Sequence, residues 1–214
     1  FTGSTAVGRR IAETAGRHLK PVLLELGGKA PMIVLDDADL DEAVNAAAFG
    51  AFLNQGQICM STERLVVDEA VADAFVAKLA AKAAALPAGD SRRSDVVVGS
   101  LIDQSAAGRL RDLVEDALAK GATLMAGGEI SGTVMSATVL DRVTPAMRIY
   151  GEESFGPVVG VVRVKSVDEA IRVANDTEYG LSSAIFGRDI ARALRVAKRL
   201  QTGICHINGA TVHD

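Results

Sequence analysis

Two periods of apolar residues alternate along this chain. Val7, Ile11, Ala15 and Leu19 recur at helical spacing and predict a helix over 6–19, with Ser4 or Thr5 at its start and Pro21 beyond its end. Short, almost wholly apolar runs at 22–26, 32–35, 65–67, 122–125, 158–164, 183–186 and 204–207 read as strands. Between them lie helical patterns at 40–53, with Asp39 as its cap, and at 69–86, 102–120, 167–175 and 190–200. Gly121 stands where a helix C-terminal glycine is expected. Gly27-Gly28 breaks the 22–26 run, and 87–96 is a polar connection. Strands alternating with helices predict an α/β fold built on a doubly wound, mostly parallel sheet. The alanine-rich stretch 77–85 reads as a helix face of small residues, and no internal repeat is visible.

Composition narrows the functional classes. The chain has 214 residues, 49% hydrophobic and 23% charged, as in ordinary globular proteins. Its formal net charge of −4 lacks the cationic face that non-specific nucleic-acid binding requires. No apolar run approaches the roughly 20 residues that span a bilayer. Two cysteines do not make a disulfide framework, which points to a reducing compartment such as the cytoplasm. Phe1-Thr2-Gly3-Ser4 has no secretory character. Three histidines at no ligand-like spacing argue against a zinc site, and Gly-x-Ser-x-Gly does not occur.

Candidate chemistry gathers in a few segments. Cys59 lies in Asn54-Gln55-Gly56-Gln57-Ile58-Cys59-Met60-Ser61-Thr62-Glu63-Arg64, a turn with polar residues on both sides. A thiolate is the most reactive side chain near neutral pH, so Cys59 is a candidate nucleophile; a buried structural thiol is the ordinary alternative. Glu25 ends an apolar run just before Gly27-Gly28-Lys29, where ligands meet α/β sheets. Apolar surroundings there would tune it toward a general base, whereas a solvated loop glutamate is the plainer alternative. Phe1-Thr2-Gly3-Ser4-Thr5-Ala6-Val7-Gly8 is a glycine-containing turn opening a helix, suited to a pyrophosphate but also to an ordinary capped start. Glu152-Glu153-Ser154-Phe155-Gly156-Pro157 places two carboxylates in a loop, a common solvated arrangement. Cys205 sits in the apolar run Ile204-Cys205-His206-Ile207, where a buried strand thiol is expected; His18 and His213 read as exposed.

Taken together, Glu25-Leu26-Gly27-Gly28-Lys29, the Cys59 segment and the Glu153 segment, in that order, resemble the aldehyde dehydrogenase superfamily. The resemblance covers Phe1 to Asp214. It implies that Cys59 attacks an aldehyde, that NAD or NADP takes the hydride, and that Glu25 activates the water which releases the acid. It also implies that Ser4 and Gly3 meet the cofactor pyrophosphate. Leu26 and Gly27 then border the nicotinamide amide, Glu153 holds the nicotinamide ribose and Phe155 packs beside the ring. The strings 56–64 and 204–214 are similar to the aromatic-aldehyde branch, the salicylaldehyde, benzaldehyde and vanillin dehydrogenases, and the second string borders the aldehyde pocket there.

The same resemblance divides the chain into 1–26, a remnant of the cofactor domain, and 27–214, a C-terminally incomplete catalytic domain. It implies a piece of a longer protein, whose side-chain oxyanion donor, cofactor-ribose lysine and oligomerisation strand lie outside these residues. The expected whole is a homo-oligomer, dimer or tetramer, that uses a small-molecule aldehyde and needs no metal. Two alternatives stay open: a folded piece with no activity of its own, and a dehydrogenase that passes the acyl group to CoA.

Overall fold

The apolar runs pair into one seven-stranded sheet in a computed structural model that describes residues 1–213. In chain order the principal elements are α1 (Thr5–Arg17), β1 (Ala30–Val34), α2 (Leu40–Phe52), β2 (Thr62–Asp68), α3 (Glu69–Ala84) and α4 (Gln104–Ala119). There follow β3 (Thr123–Ala126), β4 (Ile130–Ser131), β5 (Val134–Met135), β6 (Thr138–Asp141), α5 (Arg148–Gly151), β7 (Val158–Val164), α6 (Val167–Asn175), β8 (Ser182–Phe186), α7 (Ile190–Ala197) and β9 (Ile204–Ile207). The sheet order is β3-β6-β7-β2-β1-β8-β9, and β4 and β5 form a separate hairpin. Every pairing in the main sheet is parallel except β3 with β6.

Side chains alternate across the central strands, so each face is apolar. Met32, Val34, Leu65, Val67, Val161, Ala184 and Phe186 meet the Ala47, Ala51, Phe75 and Leu79 side of α2 and α3. Ile33, Val66, Val162 and Ile185 meet α4, α5, α6 and α7 through Leu110, Ile149, Ile171 and Val196. This two-sided cover is why the central strands are nearly unbroken apolar runs. Phe75 is fully buried. Phe75→Ala is expected to lower the unfolding free energy by about 3–5 kcal/mol, seen as a lower urea midpoint with an unchanged m value.

Helices α2, α4 and α6 start at side-chain caps; Asp39 is the expected cap, and α4 starts at Gln104 rather than at residue 102 because Asp103 caps it. Asp39 accepts from the Asp41 and Glu42 amides, Asp103 from Ala106 and Ser166 from Glu169. Helix α1 stops at Arg17 rather than at residue 19: Leu19 turns left-handed (φ 52°), and the Lys20 amide donates back to the Ala15 carbonyl. Helix α7 stops at Ala197 because its last turn tightens to three-residue bonds, Arg199 N to Val196 O and Leu200 N to Ala197 O.

One expectation needs correction, and three short strands had not been predicted. The run 22–26 is not a strand: its single ladder contact is the Thr2–Glu25 bridge, and Val22 and Leu23 are exposed. A strand needs a partner along its length, and only the first residues of the chain lie beside this one. Conversely, β4, β5 and β6 carry no readable period at two to four residues each, and β6 still enters the main sheet.

Candidate active site

Helix α2 ends at Phe52, and a single tight turn, Leu53–Gly56, redirects the chain toward Cys59. Asn54, Gln55 and Gly56 all take left-handed backbone angles (φ 48°, 58° and 67°). Gly56 is required twice over: a Cβ there would lie 2.2 Å from the Gly156 carbonyl oxygen. A left-handed Gln55 costs backbone energy that the surroundings must offset, as at many functional turns.

The turn is anchored from three sides. The Ile102 amide donates to Gln57 Oε1 at 2.9 Å, and the Ser61 hydroxyl donates to the Gly56 carbonyl at 3.1 Å. Thr211, fully buried beyond β9, donates from its hydroxyl to the Met60 carbonyl at 2.7 Å and shares a 2.8 Å hydrogen bond with the Thr62 hydroxyl. The peptide after Cys59 is therefore held by a segment that lies 151 positions further along.

Gly27-Gly28 forms the facing wall. A Cβ on Gly28 would lie 2.0 Å from the Cys59 carbonyl oxygen, and one on Gly27 would lie 2.5 Å from the Glu153 carboxylate. Only backbone fits between the thiol turn and the Glu153 loop. The Gly28 amide donates to Glu153 Oε1 at 2.8 Å. Burial pushes the Glu153 carboxyl above its ordinary range, opposed by that hydrogen bond.

These walls enclose a cavity of about 490 Å³. Cys59, Ile58 and Gln57 line one side, Leu26 and Gly27 another, and Glu153 and Phe155 a third. Thr2, Gly3 and Ser4 close the remaining side, at the N-terminus of α1. Ser4 caps that helix, accepting from the Val7 amide at 3.4 Å. Seven of the eight candidate residues thus share one cavity: Cys59, Ser4, Gly3, Leu26, Gly27, Glu153 and Phe155.

Glu25 is the eighth, and it is not in the lining. Its backbone is paired to the first turn, Gly3 N to Glu25 O and Glu25 N to Phe1 O, while its side chain is exposed. The apolar surroundings expected for it are not found, because the neighbouring Val22 and Leu23 are themselves exposed. It is nonetheless joined directly to Leu26, which does line the cavity.

The lining offers the chemistry of a nucleotide site. A helix N-terminus with a serine suits phosphate, a carboxylate suits ribose hydroxyls, and an aromatic ring suits a flat heterocycle. Cys59 is half-buried, so its sulfur is reachable from the cavity. Phe155 holds a left-handed angle (φ 46°) at the boundary with a second, polar cavity of about 690 Å³ that Arg109, Arg148 and Tyr179 also line. Glu152 lines that second cavity rather than the Cys59 one and pairs with Arg148 at 2.8 Å.

Several residues that shape the site carry no obvious signal in the sequence. Lys29 and Glu63 form a buried ion pair at 2.7 Å, and Arg109 on α4 donates to the carbonyls of Glu153 and Ser154 at 3.0 and 2.6 Å. The one available clue is that opposite charges stand at the mouths of two buried neighbouring strands, β1 and β2. Cys205 lies half-buried in β9, and burial raises its thiol above the usual range. His206 stands 5.2 Å, ring to ring, from the exposed His213. Asp214, the last residue of the 204–214 string, lies outside the described residues. Among the described residues, no group of three or more His, Cys, Asp or Glu side chains could hold a metal ion, and no helix is long and apolar enough to cross a membrane.

Comparison with known proteins gives a consistent answer. Residues 1–214 match the aldehyde dehydrogenase family. A vanillin dehydrogenase of Pseudomonas fluorescens is 61% identical over 214 residues, covering 100% of this chain and 44% of that protein. The crystal structure of a salicylaldehyde dehydrogenase from Pseudomonas putida G7, complexed with salicylaldehyde, superposes with a TM-score of 0.97 at 56% identity, covering 100% of this chain and 44% of the other. An NADP-dependent glyceraldehyde-3-phosphate dehydrogenase from Bacillus halodurans C-125, complexed with NADP, gives 0.96 at 44% identity with the same coverage. The chain spans less than half the length of these proteins.

Proposed function

The chain belongs to the aldehyde dehydrogenase family, and from that premise we propose that the whole protein oxidises an aromatic aldehyde to its carboxylic acid with NAD+ or NADP+, through Cys59. The observation that carries the reading is the single cavity shared by the Cys59 thiol, the Glu153 carboxylate, the Phe155 ring and the Ser4 turn. Its supports beyond this chain are the vanillin and salicylaldehyde dehydrogenases among its relatives.

In this mechanism the Cys59 thiolate adds to the aldehyde carbon, forming a C–S bond as the carbonyl π bond opens to an oxyanion. The Cys59 amide stabilises that oxyanion as a hydrogen-bond donor. When bound, the dinucleotide supplies the acceptor for the hydride that leaves the thiohemiacetal carbon. Glu25 then takes a proton from water; the water oxygen bonds to the thioester carbon, the C–S bond breaks, and the acid and free Cys59 result. Ser4 and Gly3 would hold the cofactor pyrophosphate, Leu26 and Gly27 the amide, Glu153 the ribose and Phe155 the ring. Glu25 performs its step by side-chain rotation, since its backbone sits one residue from the cavity wall. Residues 1–26 serve as part of the cofactor domain and 27–214 as the catalytic domain. For the whole protein the reading includes a cytoplasmic homo-oligomer.

The test is product analysis on salicylaldehyde, benzaldehyde, vanillin and a short aliphatic aldehyde, each with NAD+ and with NADP+, in the presence and absence of CoA. The expected result is free aromatic acid without a CoA requirement, and highest kcat/KM on the aromatic substrates. Preference for the aliphatic aldehyde would remove the aromatic assignment, and an obligatory CoA thioester product would remove Glu25's role. The 214 residues alone are expected to give no turnover.

A further inference from the structure

The Glu63 carboxylate is bonded to the Glu153–Phe155 loop on one side of the cavity and to Lys29, next to the Gly27-Gly28 side, and lies four residues beyond Cys59 on another. It sits near the start of β2, 4% exposed. Lys29, 1% exposed and next to Gly28, donates to Glu63 Oε2 at 2.7 Å and to the Ser154 hydroxyl at 3.2 Å. The Ser154 amide donates to both carboxylate oxygens, at 3.0 and 2.7 Å, and the Phe155 amide donates to Oε1 at 2.9 Å. The thiol turn, the Gly27-Gly28 turn and the Glu153–Phe155 loop therefore converge on one pair of side chains. Neither member lines the cavity.

An isolated ammonium at Lys29 would be costly. Burial alone lowers its pKa, and the Glu63 charge works against that fall. A buried pair of this kind is weak evidence for stability, since two apolar side chains of similar size often serve as well. What apolar side chains cannot do is accept the Ser154 and Phe155 amides, which left unpaired would draw the loop toward another acceptor. Arg109 holds the same loop by its carbonyls, on the opposite side of those peptides. The loop is gripped at both its donors and its acceptors, which fixes the left-handed turn at Phe155.

We propose that Lys29 and Glu63 are positioning residues for dinucleotide binding: the Glu63 carboxylate, oriented by Lys29, sets the Glu153 carboxylate and the Phe155 ring opposite Cys59. This inference rests on the function proposed above. It assigns the acceptor atoms of Glu63, rather than the charge pair itself, as the feature that the cofactor site needs.

Two double variants of the whole protein separate acceptor from charge. Lys29→Met with Glu63→Gln keeps an acceptor oxygen at the same reach, and Lys29→Met with Glu63→Leu removes it. Both remove the two charges of the Lys29–Glu63 pair together, so neither leaves one member without the other. Three quantities are read: thermal midpoint, the rate at which iodoacetamide alkylates Cys59 without cofactor, and the NAD+ or NADP+ concentration that half-protects Cys59 from alkylation. The Leu variant is expected to raise the half-protecting concentration about tenfold and the Gln variant by no more than about threefold, as the loss of a charge-assisted bond compared with its neutral replacement. Cofactor-free alkylation is expected to stay within about twofold in both, because the thiol turn keeps its own anchors at Gln57, Ser61 and Thr211. Equal half-protecting concentrations in the two variants would overturn the inference, as would changes that simply follow the thermal midpoint. If the unsubstituted protein shows no protection by either dinucleotide, the proposed function fails and this inference with it.

Discussion

Replacing Cys59 with alanine is expected to reduce NADH or NADPH formation on the order of 10⁴-fold or more, because removing a covalent nucleophile leaves only binding and electrostatic assistance. The variant should keep its fold. Cys59 is half-buried on a turn whose anchors are made by Gln57, Ser61, Met60 and Gly56, none of which uses the sulfur. A thermal midpoint within about 2 °C of the parent is therefore expected. Dinucleotide binding should survive as well, since Ser4, Glu153 and Phe155 are held by contacts that bypass residue 59. Loss of turnover together with loss of binding would point instead to a collapsed cavity, and full turnover would remove Cys59 from the chemistry.

Glu25→Gln carries the second-largest expected effect. Glutamine cannot accept a proton from water, so the steady-state rate should fall by about 10²–10⁴-fold, the usual range for a lost general base. The first turnover should be spared: a burst of about one reduced dinucleotide per Cys59, followed by a slow phase, is the expected stopped-flow record. The position of Glu25 makes this a demanding test. Its carboxylate is exposed and outside the cavity lining, although its backbone is tied to Phe1 and Gly3 and its neighbour Leu26 faces the cavity. An unchanged steady-state rate would mean that water is activated by another group.

What was legible in the sequence is what local chemistry determines. Val158–Val164 and Ile204–Ile207 are strands with the bounds their apolar runs predict, and Asp39 caps the helix it is expected to begin. The two-residue strands β4 and β5 are shorter than any period, and β6 is a strand because β3 and β7 lie beside it. The apolar run 22–26 shows the reverse case, for it has strand composition but one bridge for a partner. At the site, Cys59, Glu153 and Ser4 stand out because reactive or charged groups beside glycine turns are conspicuous in a sequence. Lys29, Glu63, Arg109 and Thr211 do not. Their roles come from contacts that span 34, 91, 44 and 151 positions, which only the folded sheet brings together. Glu25 marks the limit of motif reading, because a motif names the residue and leaves its surroundings open.

If aldehyde oxidation runs through a covalent bond to Cys59, the acyl enzyme can be trapped. The Glu25→Gln form of the whole protein would be mixed with benzaldehyde and NAD+ or NADP+, quenched in acid within the burst, and its peptides mapped by mass spectrometry. A benzoyl group is expected on the peptide that contains Cys59, formed only when the dinucleotide is present and equal in amount to the burst. Benzoate produced with no adduct on Cys59, or with the adduct on Cys205, would contradict a route through Cys59.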